Sequence, residues 1–593
     1  MKTNYQVSVS RVGGLLLCAA VLLPIAARAG GSLTPPGPPA VLMKSLQEIE
    51  PRTIISGPTT ITVPGSYYLS NNIVVSSGDG IDIAANNVTL DLNGFSITST
   101  AGSAAGYGIY SSGYKNISIR NGSVYGGVVD NGSGTFSGSG FAYGIYLSGP
   151  NVRVSNVSVY QVLYYGIYLG YDSLVESCYV SSVGTYGIVA NVVKGSLALD
   201  CGGTSGGYAI DAAVVSDSIG LSDWSAEGIY STTANNSYGS SYNSTGLYAY
   251  QANNCYGSTS LGYEGLGATA ANNCYGSAGN TNNYGVYASD ATECYGYGGY
   301  AGVYAYGTAI GCYGYSYYGY GVSATAAENC YGYSGANSGG SVYWAGIYAE
   351  SANNCYGSGY YWPGIQASTI NNSAGESTYA MGLYGYAPSY TSSRYGSSIQ
   401  NSYGYSYNSY GIGGYSVNNC YGYSQYSDGL DAVVVQNSEG YSINGSYGIY
   451  ATSANNCYGG STYYGIVATA VGNSYGSAGS YGVSATIAIN SYGYAYGSSS
   501  GAEGLYAISA QNCYGYCSSS GNYGYGLYAY NAANCYGVSY SPYGYGLYFY
   551  DDAVGCDGYA YGTGSYGLYG FIANSCYGSG TSGNIISYKY NMP

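Results

Sequence analysis

The stretch Gly448-Ile449-Tyr450-Ala451-Thr452-Ser453-Ala454-Asn455-Asn456-Cys457-Tyr458-Gly459 recurs, with drift, through most of this chain. It returns as Gly246-Leu247-Tyr248-Ala249 leading to Asn254-Cys255-Tyr256-Gly257, and as Gly526-Leu527-Tyr528-Ala529 leading to Asn534-Cys535-Tyr536-Gly537. The step from the aliphatic residue to the Cys is constant: Leu266 to Cys274, Val286 to Cys294, Ile347 to Cys355, Leu568 to Cys576. The step from that Cys to the next aliphatic residue varies, as Cys457 to Ile466 and Cys330 to Ile347 show. A rigid part therefore alternates with a variable one.

Within the unit, Ile449 and Ala451 fall on one face and Tyr450 and Thr452 on the other, the period-two alternation of a strand. A polar break over Ser453–Asn456 is expected next, then a second short strand with Cys457 inward and Tyr458 outward. Gly459 and the Ser/Gly/Tyr-rich residues after it supply turns. Strands this short cannot bury a face alone, so successive units must stack and share one core. The rung of Cys and its Ser substitutes runs from Cys178 through Cys201, Ser218 and Ser237 to Cys576, repeating about every twenty residues. Left-handed hexapeptide helices and pentapeptide repeats need stricter spacing, and the GGxGxD nonapeptide of RTX-type rolls is absent.

Asn precedes the rung residue in most units, including Asn254, Asn273, Asn354 and Asn456. Stacked about 4.8 Å apart, such side chains can hydrogen-bond along the stack or form independent Asx turns. Either way their role is structural. Here the chain resembles the pectate-lyase-like right-handed β-helix superfamily, in which a stacked-Asn turn recurs. Gly65-Ser66-Tyr67-Tyr68-Leu69 followed by Val88-Thr89-Leu90-Asp91-Leu92-Asn93-Gly94-Phe95-Ser96-Ile97 is similar to the first coils of secreted bacterial β-helix proteins. That resemblance covers roughly residues 44–200. The expected fold is all-β: a single-stranded right-handed parallel β-helix solenoid of about 24 coils over residues 53–590, with a short N-terminal capping helix.

Gly (100) and Tyr (88) together make nearly a third of the 593 residues, and only 6% are charged. The rival reading of a disordered Gly/Ser/Tyr tract predicts no register, whereas this register persists through more than fifteen units. Residues 1–29 read as a secretory signal peptide: Lys2 and Arg11, an apolar run from Val12 to Ala26, then Ala27-Arg28-Ala29. A transmembrane anchor is the alternative, but the run is short and broken by Pro24, and no later stretch is long enough to span a bilayer. Residues 30–52 combine a Pro-rich linker with a helix carrying Leu42, Leu46 and Ile49 on one side, able to cap an open solenoid end. The expected location is extracellular or at the cell surface. Removing Lys2, Arg11 and Arg28 takes the formal charge from −15 to −18. Nucleic acid needs clustered Lys/Arg, so it is excluded as a partner.

Fifteen Cys remain beyond the leader. Cys255, Cys274, Cys294, Cys312, Cys330 and Cys355 would form one inward row, near enough for disulfides but with parallel side-chain vectors. Ser replaces Cys so often on that rung that a small filler is the expected role. One thiol per coil has no zinc-site spacing, so no metal and no cofactor are expected.

The absence of His removes Ser-His-Asp and Cys-His systems. Charges mix densely only near the N-terminus, at Asp79, Asp82, Asp91, Lys115, Arg120 and Arg153, where outward surface charge is expected. Asp551 and Asp552 would face opposite ways on a strand. No catalytic residue is assigned. What the chain offers instead is outward aromatic surface: Tyr256, Tyr275, Tyr295, Tyr313, Tyr331 and Tyr356 follow the rung, and a second row includes Tyr230, Tyr248, Tyr287, Tyr304 and Tyr348. Stacked Tyr can simply stabilise a solenoid, but contiguous aromatic surface usually marks an interaction site. The expected function is an exported, non-catalytic structural or adhesive rod that binds extracellular polysaccharide or self-associates. The alternative is a polysaccharide lyase or glycoside hydrolase of the same superfamily.

Overall fold

The computed structural model describes residues 50–335, 344–386 and 396–592. The chain divides into a unit of residues 1–51 and a second unit of residues 52–593. The expected leader, linker and capping helix lie outside the described residues as far as Ile49, as does Arg394. The second unit is an all-β parallel solenoid of about 27 turns, with no helix among the described residues. The excess over 24 arises because turns before Cys178 lack the Cys/Ser rung. Val88, Leu90, Ile117, Ile119, Val152 and Val154 fill the interior there.

Each coil has three sides. In the unit quoted above, Tyr447–Asn455 is one nine-residue strand, so the polar stretch Ser453–Asn455 continues the strand instead of breaking it. Ile449 and Ala451 pair with Ile466 and Ala468, and Ser453 and Asn455 pair with Ala470 and Gly472. Thr452, between the two pairings, is where the strand bends, and Ala454 beyond it is buried. That inward Ala is why a run that reads as polar stays in the sheet. Tyr458–Ser461 forms the third side, pairing with Tyr475–Ala478.

The interior is thin. A Cβ on Gly257 would collide with the carbonyl of Gly265, and one on Gly265 with the backbone of Ser277. The glycines of Tyr-Gly and Gly-Leu therefore face each other across the coil where no side chain fits.

Two features leave the regular stack. An antiparallel hairpin of Gly127–Asp130 and Phe136–Ser139 stands apart from it, pinned by Trp224 Nε1 donating to Asp130 Oδ2 at 2.9 Å. The register also slips where Asn531 pairs with Asp552. This bulge leaves Tyr550, Asp551 and Asp552 all exposed, so the two acids do not alternate across the sheet as expected.

Candidate functional site

The corner between the second and third sides is one residue in the left-handed conformation. Asn254, Asn273, Asn354 and Asn456 have φ of 52°, 49°, 54° and 53°, and Gly311 and Gly555 take the same corner at 63° and 60°. Asn tolerates this region because its short amide can bond locally. The side chains form the expected ladder: Asn273 Nδ2 donates to Asn254 Oδ1 at 2.8 Å, Asn254 to Asn236 at 3.3 Å, and Asn456 to Asn437 at 3.1 Å. Asn354 donates to Asn329. Not every step is corner to corner: Asn473 Nδ2 reaches Asn455, one residue before the corner.

The next residue is the buried rung. Cys255, Cys274, Cys294, Cys312, Cys330 and Cys355 occupy it, and all fifteen cysteines among the described residues are free and buried. Cys255 Sγ donates to the Asn253 carbonyl at 3.2 Å, and Ser237 Oγ does the same to Asn235 at 2.8 Å. Ser373 Oγ in turn accepts from Cys355 N at 3.0 Å, as Cys556 Sγ accepts from Cys535 N at 3.3 Å. Thiol and hydroxyl do one job, which explains their exchange. Burial pushes the Cys178 and Cys420 thiols up to about 11. One rung assignment is corrected: Ser196, not Cys201, follows Cys178, because Cys201 pairs with Val183 on the third side.

Outside the rung stands the tyrosine column. Tyr256, Tyr275, Tyr295, Tyr313, Tyr331 and Tyr356 stack continuously, with ring centroids 4.6, 5.0, 4.8, 4.7 and 4.9 Å apart and planes within 14° of parallel. Tyr256 and Tyr295 are 38% and 39% exposed, so one ring edge is held while the other meets solvent. Farther along, Tyr475, Tyr492, Tyr514 and Tyr536 repeat the arrangement. Burial, then neighbouring phenols, push Tyr492 up to about 12, so its hydroxyl keeps its proton at neutral pH.

From Tyr331 to Tyr492, two adjoining grooves of about 690 and 400 Å³ run between the Asn ladder and the column, and they share Asn437 and Glu439. One wall is phenol rings and the other is carboxamides. Asn401 and Asn437 each spend one donor and one acceptor on the ladder, and each keeps a second N–H and lone pair.

The second expected row is interrupted. Tyr230 stacks on Tyr248 and Tyr287 on Tyr304, but Gly267 lies between the pairs, and a Cβ there would collide with the Glu264 carboxylate. A third column was missed, on the Tyr that precedes Gly-Ile: Tyr165 stacks on Tyr186 at 4.9 Å and Tyr464 on Tyr481 at 4.8 Å. The recurring Tyr-Gly-Ile of Tyr143, Tyr165, Tyr186 and Tyr447 was its signal.

Four carboxyls stand in that third column, and one of them, Asp428, accepts from Tyr447 N at 3.1 Å and is pushed up by burial to about 6. Glu227 and Glu264 sit two rungs apart with Thr245 between, and burial pushes each up to about 7. Glu503 lies between Tyr481 and Tyr525 and is pushed by burial to about 8. Near the N-terminus, Asp91 keeps the outward side of its strand, in register with Tyr68 and Arg120. It is covered there and only 7% exposed, instead of lying free on the surface. Arg52 and Arg120 approach its Oδ2 at 3.5 and 3.2 Å, and Asn93 N donates to its Oδ1. It is a covered clamp between turns, because it stands in register with Tyr68 and Arg120 and the two guanidinium groups close over it. Among the described residues no three His, Cys, Asp or Glu side chains are grouped to hold a metal ion, and no helix is long and apolar enough to cross a membrane. No protein-family model, curated protein or solved structure matches this chain.

Proposed function

We propose that this protein is exported through its leader and serves outside the cell as a non-catalytic structural or adhesive β-helix of the pectate-lyase-like kind. Its tyrosine columns would meet a repetitive, weakly charged partner: an extracellular polysaccharide or a second copy of the chain. The observation that carries this is the continuous, partly exposed stack from Tyr256 to Tyr356, whose last two rings, Tyr331 and Tyr356, stand at the start of a groove walled by Asn amides. Ring faces and edges suit sugar rings and other phenols, and amides suit hydroxyls. Each rung contributes little, and the array acts through avidity. Replacing Tyr256, Tyr275, Tyr295, Tyr313 and Tyr331 by Ser should leave a β-type circular dichroism spectrum while weakening self-association and glycan binding. If both survive unchanged, the column is only packing.

The catalytic alternative draws on Glu227 and Glu264. Two rungs set them about 9.6 Å apart, at the upper edge of the roughly 6.5–9.5 Å used by inverting glycosidases. Such a pair needs one ionised member in contact with water, yet burial raises both equally and Glu227 Oε2 is covered. Incubation with acidic and neutral polysaccharides, with and without Ca²⁺, separates the readings. New reducing or unsaturated ends that scale with protein and vanish in Glu264→Gln would favour the enzyme.

A further inference from the structure

The outer tyrosine column has three interruptions between Tyr238 and Tyr577: Ala374, Glu439 and Asp557. Two of them are plugged by the chain itself. At Glu439, Tyr441 leans in from two residues on, 5.5 Å from Tyr421 and 5.1 Å from Tyr458. At Asp557, Tyr559 does the same, 5.2 Å from Tyr536 and 5.7 Å from Tyr577. A ring offered from beside the column is thus accepted into the missing place. At Ala374 the residue two positions on is Glu376, so no ring is supplied.

Ala374 pairs with Tyr356 on one side and Tyr403 on the other. Those two rings are therefore two rungs apart, about 9.6 Å, where one flat ring could stand at the spacing of the rest of the stack. The groove of about 690 Å³ opens at this place, with Tyr356, Ala374 and Tyr403 in its wall. Glu376 points outward in the same strand. Its charge acts on Tyr331 and Tyr403, raising both phenols after the larger effect of burial. No cation is paired with it among the described residues.

We propose that the interruption at Ala374 is a binding slot for a planar cationic ring, inserted between Tyr356 and Tyr403 with its charge beside Glu376. Two aromatic faces favour a flat group, and both the ring quadrupoles and the carboxylate favour positive charge. This goes beyond the reading of the columns as an adhesive surface, which does not require any gap.

Benzamidine, a benzene ring bearing a planar cation, is the probe, and uncharged benzamide of nearly the same shape is its control. Equilibrium dialysis against the full-length protein should show one benzamidine site per chain, at least about tenfold tighter than benzamide. Ala374→Tyr, which restores the residue found on neighbouring rungs, should abolish that site. Glu376→Gln should bring benzamidine down to the benzamide level. Tyr403→Ser, which removes one wall, provides a second test if the Ala374→Tyr protein does not fold. The proposal is overturned if wild type binds no benzamidine at millimolar concentration, if benzamide binds equally well, or if filling the slot or removing its wall leaves binding intact. Replacing Tyr256, Tyr275, Tyr295, Tyr313 and Tyr331 by Ser leaves Tyr356, Ala374 and Tyr403 in place and should keep the benzamidine site, so failure of the slot and failure of the adhesive reading are separately visible.

Discussion

Asn273 donates its side-chain amide to Asn254 one turn below, at 2.8 Å, while both backbones stand in the left-handed region near 50°. One residue type thus meets two demands at the same corner. It tolerates a backbone that costs most side chains about 1–2 kcal/mol, and it ties its turn to the previous one.

The two demands separate by mutation. Asn273→Gly keeps the corner and loses the ladder bond, which should cost about 1 kcal/mol. Asn273→Ala loses both and should cost about 2–3 kcal/mol. Because a solenoid opens locally, hydrogen exchange at Cys274–Ala278 should report these losses better than a global melting curve. Equal protection in both variants would show that backbone strain is not what selects Asn.

The thiol rung should behave as filler. Cys556→Ser keeps the acceptor for Cys535 N and the donor to the Val554 carbonyl, so stability should change by less than about 1 kcal/mol. Cys556→Val strands the Cys535 N–H and should cost about 1–3 kcal/mol despite its apolar fit. In the native protein none of the fifteen thiols should react with a thiol reagent, and all should do so after denaturation. Rapid labelling of the folded chain would contradict their burial.

The Asn corner, the inward Cys and the outward Tyr column were legible because each repeats at a fixed distance from an aliphatic residue. The continuous strand through Ser453 was not, since Ala454 is too small to read as a core residue against polar neighbours. Asp91 was read as outward surface charge because it alternates with Leu90 and Leu92. Only the approach of Arg52 and Arg120, distant in sequence, gives it a reason to be covered. Cys201 carried the right residue type at nearly the right spacing, and the difference of one side of the coil is invisible without pairing.

Asp91 predicts a local effect. Asp91→Asn leaves the two guanidinium groups without a buried counter-charge, which should cost on the order of 3 kcal/mol. The loss should be confined to turns that pair around Tyr68 and Arg120. Limited proteolysis should cut the variant near its N-terminal turns first, leaving the tyrosine-rich turns intact. Uniform cleavage along the chain would mean that the clamp stabilises the whole stack.

The last prediction concerns pH. Glu503 is half-buried between Tyr481 and Tyr525, and its Oε2 is covered and without a hydrogen-bond partner. Burial raises its carboxyl to about 8 from an ordinary 4.5. Between those values the folded state binds more protons than the unfolded state, so stability falls as pH rises. The stabilising contribution is complete below about pH 4.5 and is lost as pH climbs through about 8. The loss is on the order of a few kcal/mol and is centred on the turns around Glu503. Glu227 and Glu264, raised only to about 7, should add a smaller loss in the same direction. Hydrogen exchange at Tyr481–Ile489 and Tyr525–Ala533 should therefore show weaker protection at pH 9 than at pH 6, after correction for the intrinsic rate. In Glu503→Gln, which carries no charge at either pH, that difference should largely disappear. If it persists in the variant, ionisation of Glu503 is not what loosens these turns.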